Sequence, residues 1–376
     1  MKIAHVVDSM EVGGAETLVS QMCHLQRARG HTPCVYAVSA LGALGERMRQ
    51  DGFDVQPNVG RHLLDAMQNF FRVFRDSRPD VVHLHNPTPT IYAAMAAEMA
   101  GVPSIISTRH SLVASPHRVV TELKYALAAR FCDWVVGICD ATASNVKSIH
   151  TVPARKITCV YNGAVPLSRA AKEHCPPKAG FTLVYVGRLE PVKNHPLLLH
   201  AFRAALTTMP GLRLWMVGDG SQRAEMEKLA GELDIFEQVT FWGQQLDVAP
   251  FFSAADAFIM SSRSEGLPMS LLQAFSLGLP AIVTDVGGMA EVVRMARAGF
   301  TVSATDPEEM TAAILRLADS EAERRQFSKS AEEAFHTRFT LNTMVDAYMD
   351  LYQKTPRQPG ARRSPVGGPP PSLNRA

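Results

Sequence analysis

Short apolar runs recur along the chain, and each gives way to a segment in which apolar residues return every three or four positions. In the first half the runs are Ile3–Val7, Pro33–Val38, Val81–Leu84, Ser104–Ser107, Trp134–Ile138 and Ile157–Val160. In the second half they are Thr182–Val186, Leu212–Val217, Val239–Trp242, Ala257–Met260, Ala281–Thr284 and Phe300–Val302. Strands alternating with helices of this length predict βαβ units and parallel sheets. Twelve strands exceed one ordinary sheet, and the pattern pauses near Asn162–Gly180, where Asn-Gly and Pro-Pro pairs gather.

That pause predicts a linker over 166–180 between a first domain, 1–165, and a second, 181–337. Each reads as a Rossmann-like α/β domain, with a cleft between the strand C-termini, where such sheets bind ligands. Amphipathic helices are expected near Ala15–Arg29, Met289–Met295, Pro307–Ala318, Glu321–Phe335 and Asn342–Gln353. A length of 376 residues fits two domains, and 46% hydrophobic with 20% charged residues suffices for two cores.

A net charge of +2 argues for neither nucleic acid nor a strongly acidic partner. Five of the basic residues lie in the Pro-, Gly- and Arg-rich end of the chain, from Lys354 onward, without an acid among them. Residues 355–376 therefore read as a disordered basic tail, a solvated extension or a weak hold on an anionic membrane surface. Cys23, Cys34, Cys132, Cys139, Cys159 and Cys175 form no CxxC pair, which suits a reducing cytoplasm. A strand pattern from Lys2 leaves no room for a signal peptide, and no apolar run reaches membrane-spanning length. The expected location is cytoplasmic, with peripheral attachment to the inner face of the membrane as the further option.

Chemistry concentrates where strands end. Ser264-Glu265-Gly266-Leu267-Pro268 follows one apolar run and opens into a helical pattern. Pro268 suits a first helical turn, whose unpaired amides and dipole attract a phosphate, and Glu265 would face whatever the phosphate carries. After another run, Gly187-Arg188-Leu189-Glu190-Pro191-Val192-Lys193 places two cations at a strand end. Arg forks two phosphate oxygens and Lys adds a point charge, so the pair suits a diphosphate that gains charge as it leaves. His110, and with less force His85, could bond a substrate hydroxyl or shuttle a proton from a strand terminus. Gly13-Gly14 allows a close backbone approach, but it is not GxGxxG, and this disfavours a dinucleotide cofactor. Trp242-Gly243 could offer backbone groups to a base, and Asp285 is as good a helix cap as a ligand contact. Segments 116–131 and 70–75 mix basic and apolar residues, as a core-packed helix with a solvated face does, or a helix touching a membrane.

Together, Gly13-Gly14-Ala15-Glu16, His110, Tyr161-Asn162-Gly163, Gly187-Arg188-Leu189 with Lys193-Asn194, Ser264 to Pro268 and Asp285-Val286-Gly287-Gly288 resemble glycosyltransferase family 4 over about residues 1–353. The resemblance implies the GT-B fold, two Rossmann-like domains facing each other across a cleft. It implies a retaining transfer from a nucleotide-diphosphate-sugar, a substrate rather than a cofactor, to a glycan or lipid-linked acceptor, with no bound metal. No DxD motif is present. Arg188 and Lys193 would hold the diphosphate beside the Gly266 and Leu267 amides, and Glu265 would meet the sugar. His110 would stand near that sugar, Gly187 and Gly243 would belong to the donor site, and Gly13-Gly14 would border the diphosphate or acceptor. The last helix, 338–354, would cross back to the first domain. One departure stands out: Gln273 occupies the place of a second glutamate that accepts from ribose hydroxyls, and a neutral amide weakens such bonds. Two rivals remain open, a nucleotide-sugar epimerase on the same scaffold and a non-catalytic nucleotide-sugar-binding subunit.

Overall fold

The computed structural model describes residues 1–11, 13–57, 62–112, 119–149 and 152–354; the predicted tail, 355–376, lies outside them. The chain forms two compact units, Met1–Asn162 together with the C-terminal helix, and Gly163–Thr340.

The first unit contains β1 (Lys2–Val7), β2 (Thr32–Ala37), β3 (Asp54–Pro57), β4 (Val81–His85), β5 (Ser104–Arg109), β6 (Trp134–Gly137) and β7 (Ile157–Cys159). Its helices are α1 (Gly14–Ala28), α2 (Gly42–Gln50), α3 (Leu63–Ser77), α4 (Pro87–Met99), α5 (Val119–Ala129) and α6 (Asp140–Ser148). The strands make one parallel sheet in the order β3-β2-β1-β4-β5-β6-β7. Helices cover both faces of such a sheet, so β1, β4 and β5 are buried along nearly their whole length. β3 escaped the sequence reading because it is an edge strand of four residues in which only Val55 is buried. On α3, Phe70 and Phe74 are buried in the core with Ala4, Val82 and Leu84, so segment 70–75 is core-packed.

The second unit repeats the plan with β8 (Thr182–Val186), β9 (Arg213–Val217), β10 (Val239–Gly243), β11 (Ala257–Met260), β12 (Ala281–Thr284) and β13 (Gly299–Val302). Their order is β10-β9-β8-β11-β12-β13. The helices are α7 (His195–Thr208), α8 (Arg223–Glu232), α9 (Ala249–Ala254), α10 (Met269–Ser276), α11 (Gly287–Ala296), α12 (Pro307–Asp319) and α13 (Glu321–Arg338). Local chemistry starts the last two: Asp306 accepts the Glu308 amide ahead of Pro307, and Ser320 accepts that of Glu323.

Both sheets reverse direction of growth once, between β1 and β4 and between β8 and β11. Loops diverge there at the carboxyl ends, which opens a crevice for ligands. The first residues of the stretch 166–180 are bonded to the second unit. Leu167 N–H donates to Ser276 Oγ at 3.1 Å, Ala170 N–H to Ser253 Oγ at 2.9 Å, and Arg169 to the Leu277 carbonyl at 3.0 Å.

Helix α14 (Leu341–Lys354) belongs to the first unit. It buries Met344, Val345, Tyr348, Leu351 and Tyr352, and Arg29 holds it through Asp346 and Asn342 at 2.5 and 2.8 Å. No helix among the described residues is long and apolar enough to cross a membrane.

Candidate functional site

In the second unit the predicted residues collect at the β8/β11 reversal. The β8 loop runs through Gly187 and the exposed Arg188 into a 3-10 turn, Pro191–Lys193, and Asn194 enters α7 with φ +55. The β11 loop lies beside it: Ser261 Oγ donates to the Lys193 carbonyl at 2.9 Å, and Arg263 N–H to that of Val192 at 2.8 Å. These bonds aim two side chains at each other. The Lys193 ammonium pairs with Glu265 Oε1, to which Ser262 Oγ also donates at 3.2 Å; Lys193 and Glu265 are only 14% and 15% exposed.

Neighbouring loops brace this pair. Gly288 N–H donates to the Gly266 carbonyl at 2.7 Å, Thr284 Oγ1 to that of Ser262 at 2.6 Å, and Leu189 N–H to that of Asp219 at 2.9 Å. The crowding requires glycine at 218: with φ +138, a Cβ there would stand 1.9 Å from the Gly187 oxygen. Beyond it, Gly243 accepts the Gly218 N–H at 2.8 Å, next to an open hollow of about 710 Å³ lined by Trp242, Gln244, Gln245 and Leu246.

Two buried rings register the charges. Tyr185 donates to the Arg188 carbonyl at 2.9 Å, and its phenol is pushed well above 10 by burial and by Glu265, against an opposing pull from Arg188. His195 is lowered to about 4 by burial and then by the Lys193 charge, and neither ring nitrogen has a hydrogen-bond partner. Arg188 makes no ion pair among the described residues.

Two sequence expectations need correction. Pro268 is the N-cap of α10, extended at φ −69 and ψ 134, so Gly266 and Leu267 lie in the turn before the helix rather than in its first turn. Proline fixes φ at a helical value but leaves ψ open, and here ψ is extended. Asp285 does not cap α11, whose N-cap is Val286; its carboxylate takes Arg294 at 2.7 Å. Gln273 sits half-buried on α10.

In the first unit, His110 follows β5, and Asn86 pins it in place. Asn86, at φ +74, accepts the His110 N–H on Oδ1 at 3.1 Å and donates its own N–H to the Thr108 carbonyl at 2.7 Å. Arg109 forks onto Glu122 with two contacts of 3.1 Å, buried, over the Tyr125 ring. Behind His110 runs a polar core that the sequence reading largely missed. His85 Nδ1 lies 3.1 Å from His110 Nε2, His85 Nε2 3.1 Å from His5 Nδ1, and His5 Nε2 2.9 Å from Gln26 Oε1. His83 bonds the Tyr352 hydroxyl and Thr108 Oγ1, each at 2.7 Å. Burial lowers His5 and His110 to about 4, and it lowers His83 and His85 well below the ordinary histidine value. The available signal was His83 and His85 sharing one strand face, and it gave no warning that register sets His5 opposite His83.

His5, His83 and His85 hold ring nitrogens within 4.8 Å of one another, which is metal-ligating chemistry. All six nitrogens are already engaged in the bonds above, so none is left to turn toward a common centre. Gly13 and Gly14 open α1; a Cβ on Gly14 meets nothing within 4 Å, and one on Gly13 meets the Glu16 carboxylate.

Two doubly wound parallel sheets, each with its polar residues at the carboxyl ends of the strands at the reversal point, define the GT-B class. The description Glycosyltransferase Family 4 matches residues 12–166, and Glycosyl transferases group 1 matches 169–334. The chain is 32% identical over 191 residues to the lipopolysaccharide core biosynthesis glycosyltransferase LpsD of Rhizobium meliloti, over 51% of this chain and 54% of that protein. It is 25% identical to an Escherichia coli UDP-Gal:alpha-D-GlcNAc-diphosphoundecaprenol alpha-1,3-galactosyltransferase, over 77% and 79% of the two. The structure of Alr3699/HepE from Anabaena, solved with UDP, superposes with a TM-score of 0.81 at 19% identity, over 93% of this chain and 99% of that one. The chain spans about half the length of LpsD and of the related LpsE, 54% and 46%. It belongs to the family 4 type of glycosyltransferases.

Proposed function

We propose that the protein moves a sugar from a nucleoside diphosphate sugar to a glycan or lipid-linked acceptor in polysaccharide or glycoconjugate synthesis, with retained anomeric configuration and without a metal. The observation that carries this reading is the Lys193–Glu265 pair beside Arg188 at the β8/β11 reversal. Lys193 and Arg188 neutralise the departing diphosphate, and charge that develops in the transition state rewards fixed cations more than the ground state does. Glu265, freed from Lys193 as the diphosphate arrives, accepts bonds from sugar hydroxyls and steadies positive charge at C1. The C1–O bond to the phosphate breaks, the acceptor oxygen bonds C1 from the same face, and its proton passes to the released phosphate oxygen. His110 bonds a substrate hydroxyl. The UDP named with the Anabaena structure and the UDP-Gal named for the Escherichia coli relative support a uridine donor.

The test is transfer from a panel of nucleoside diphosphate sugars to lipid-diphosphate glycans, with the product anomer read by NMR and chelator added in parallel. Release of diphosphate with an inverted product, or loss of transfer in chelator, would overturn the corresponding part of the proposal. At Gln273 the Gln273→Glu change supplies the missing charged acceptor. Donor affinity should rise about fivefold, worth ~1 kcal/mol, in a calorimetric titration; unchanged affinity would remove Gln273 from the ribose.

For the acceptor side we assign peripheral attachment to an anionic membrane surface. On α5, Val120, Leu123 and Leu127 are 65%, 60% and 62% exposed, one apolar stripe with Lys124 beside it. Leu123→Asp should reduce sedimentation with phosphatidylglycerol vesicles at low salt while leaving the melting temperature unchanged. Equal sedimentation of the two proteins would sink this attachment.

A further inference from the structure

The bonds behind His110 form a line with a direction. His5 and His85 are buried and His110 is half-buried, and the pKa of each lies well below neutrality, so each ring carries one proton and one lone pair near pH 7. In a chain of neutral imidazoles, the choice of donor at one end settles every bond after it. The end is Gln26, wholly buried on α1, whose Oε1 faces His5 Nε2 at 2.9 Å. A carbonyl oxygen only accepts, so His5 carries its proton on Nε2 and offers Nδ1. His85 then donates from Nε2 to His5 and offers Nδ1, and His110 donates from Nε2 to His85. The remaining atom, His110 Nδ1, is left bare, with no partner among the described residues.

We infer that Gln26, His5 and His85 are positioning residues that hold His110 in its Nε2–H form and present Nδ1 outward as a hydrogen-bond acceptor. A bare Nδ1 takes a bond from a hydroxyl and repels a phosphate or carbonyl oxygen, so the chain decides which class of substrate group His110 accepts. This last consequence rests on the transferase reading of His110; the tautomer itself does not.

The alternative arrangement has a definite cause. With the carboxamide reversed, its N–H would donate to His5 Nε2 and every bond in the line would turn round, leaving His110 Nδ1 protonated. A branch of the same core runs from Tyr352 through His83 and Thr108 to Tyr348, through contacts of 2.7, 2.7 and 3.0 Å. These hydroxyls can act in either sense, so the amide has the deciding role. The rings of His5, His85 and His110 are stacked, each centroid 5.3 Å from the next, and their facing nitrogens meet directly at 3.1 Å.

The experiment is 15N NMR of the full-length protein labelled at histidine, at pH 7.5 and without donor or acceptor. His110, assigned by loss of its signals in His110→Gln, should show a protonated Nε2 and a bare Nδ1. In Gln26→Met and in His5→Phe, neither of which bonds His110, the two signals should move toward each other as the forms mix. A native His110 protonated at Nδ1, or one native-like in both folded variants, overturns the inference. If neither variant folds, the native spectrum decides alone. Absence of sugar transfer alongside the expected spectra would count against the transferase reading and not against the chain.

Discussion

Lys193→Ala should lower the second-order rate constant for sugar transfer by about 100- to 1,000-fold, the usual loss when one preorganised group facing developing charge is removed. Two effects combine in this substitution. The diphosphate loses a point charge that the exposed Arg188 alone cannot replace. Glu265, 15% exposed, loses the ammonium that neutralises it and keeps the Ser262 hydroxyl as its bonded partner. A carboxylate so placed repels the incoming phosphate, so donor affinity and turnover should fall together. Lys193→Arg keeps the charge but not the compact ammonium, and its loss should be smaller. The measurement is initial rate against donor concentration for the three proteins, with matching melting curves. A loss below about threefold in Lys193→Ala would remove Lys193 from the chemistry.

Acidification should destabilise the protein well before its carboxylates titrate. His5 and His110 stand at about 4 when folded, against 6.5 when unfolded. The folded state thus binds fewer protons, and the stability these rings carry is fully present above pH 6.5 and is lost as pH falls toward 4. Each contributes a slope of about 1.4 kcal/mol per pH unit inside that window, so moving from pH 6 to 5 should remove about 2.5 kcal/mol. For a unit of this size that is a fall of roughly 5–10 °C in melting temperature. His83 and His85 shift in the same direction and add to it. The depressed carboxyls of Glu190 and Glu323 lose stability only below their ordinary value of 4.5, outside the interval. Thermal melts at pH 7, 6 and 5 test this, and a constant melting temperature across them would show that the histidines protonate without unfolding.

The parallel sheets were legible because most of their strands are buried on both faces and carry short apolar runs, such as Leu183–Val186 and Ala257–Met260. An edge strand such as β3, with one buried residue, has no such signature. Arg188, Lys193 and Glu265 could be named from charge at strand ends, since loops at a reversal point have little reason other than ligands to gather cations. The pairing of Lys193 with Glu265 could not be named, because it depends on Ser261 and Arg263 clasping the neighbouring loop. The histidine line was least visible. Its members come from β1, β4, the residue after β5 and α1, and nothing local in Lys2-Ile3-Ala4-His5-Val6-Val7 tells a buried bonded imidazole from an exposed one. Pro268 misled for a similar reason: one fixed torsion was read as two.

The attachment of α14 has a bearing on how the protein is made. Tyr348 and Tyr352, which close the polar interior of the first unit, lie near the end of the described chain. At about 5–20 residues per second, a ribosome needs roughly 10–35 s to synthesise the second unit after Asn162 has been joined. Throughout that interval the nascent first sheet holds all its strands while His83 and Thr108 lack their tyrosine partners from α14. The half of the molecule translated first is therefore the half that matures last.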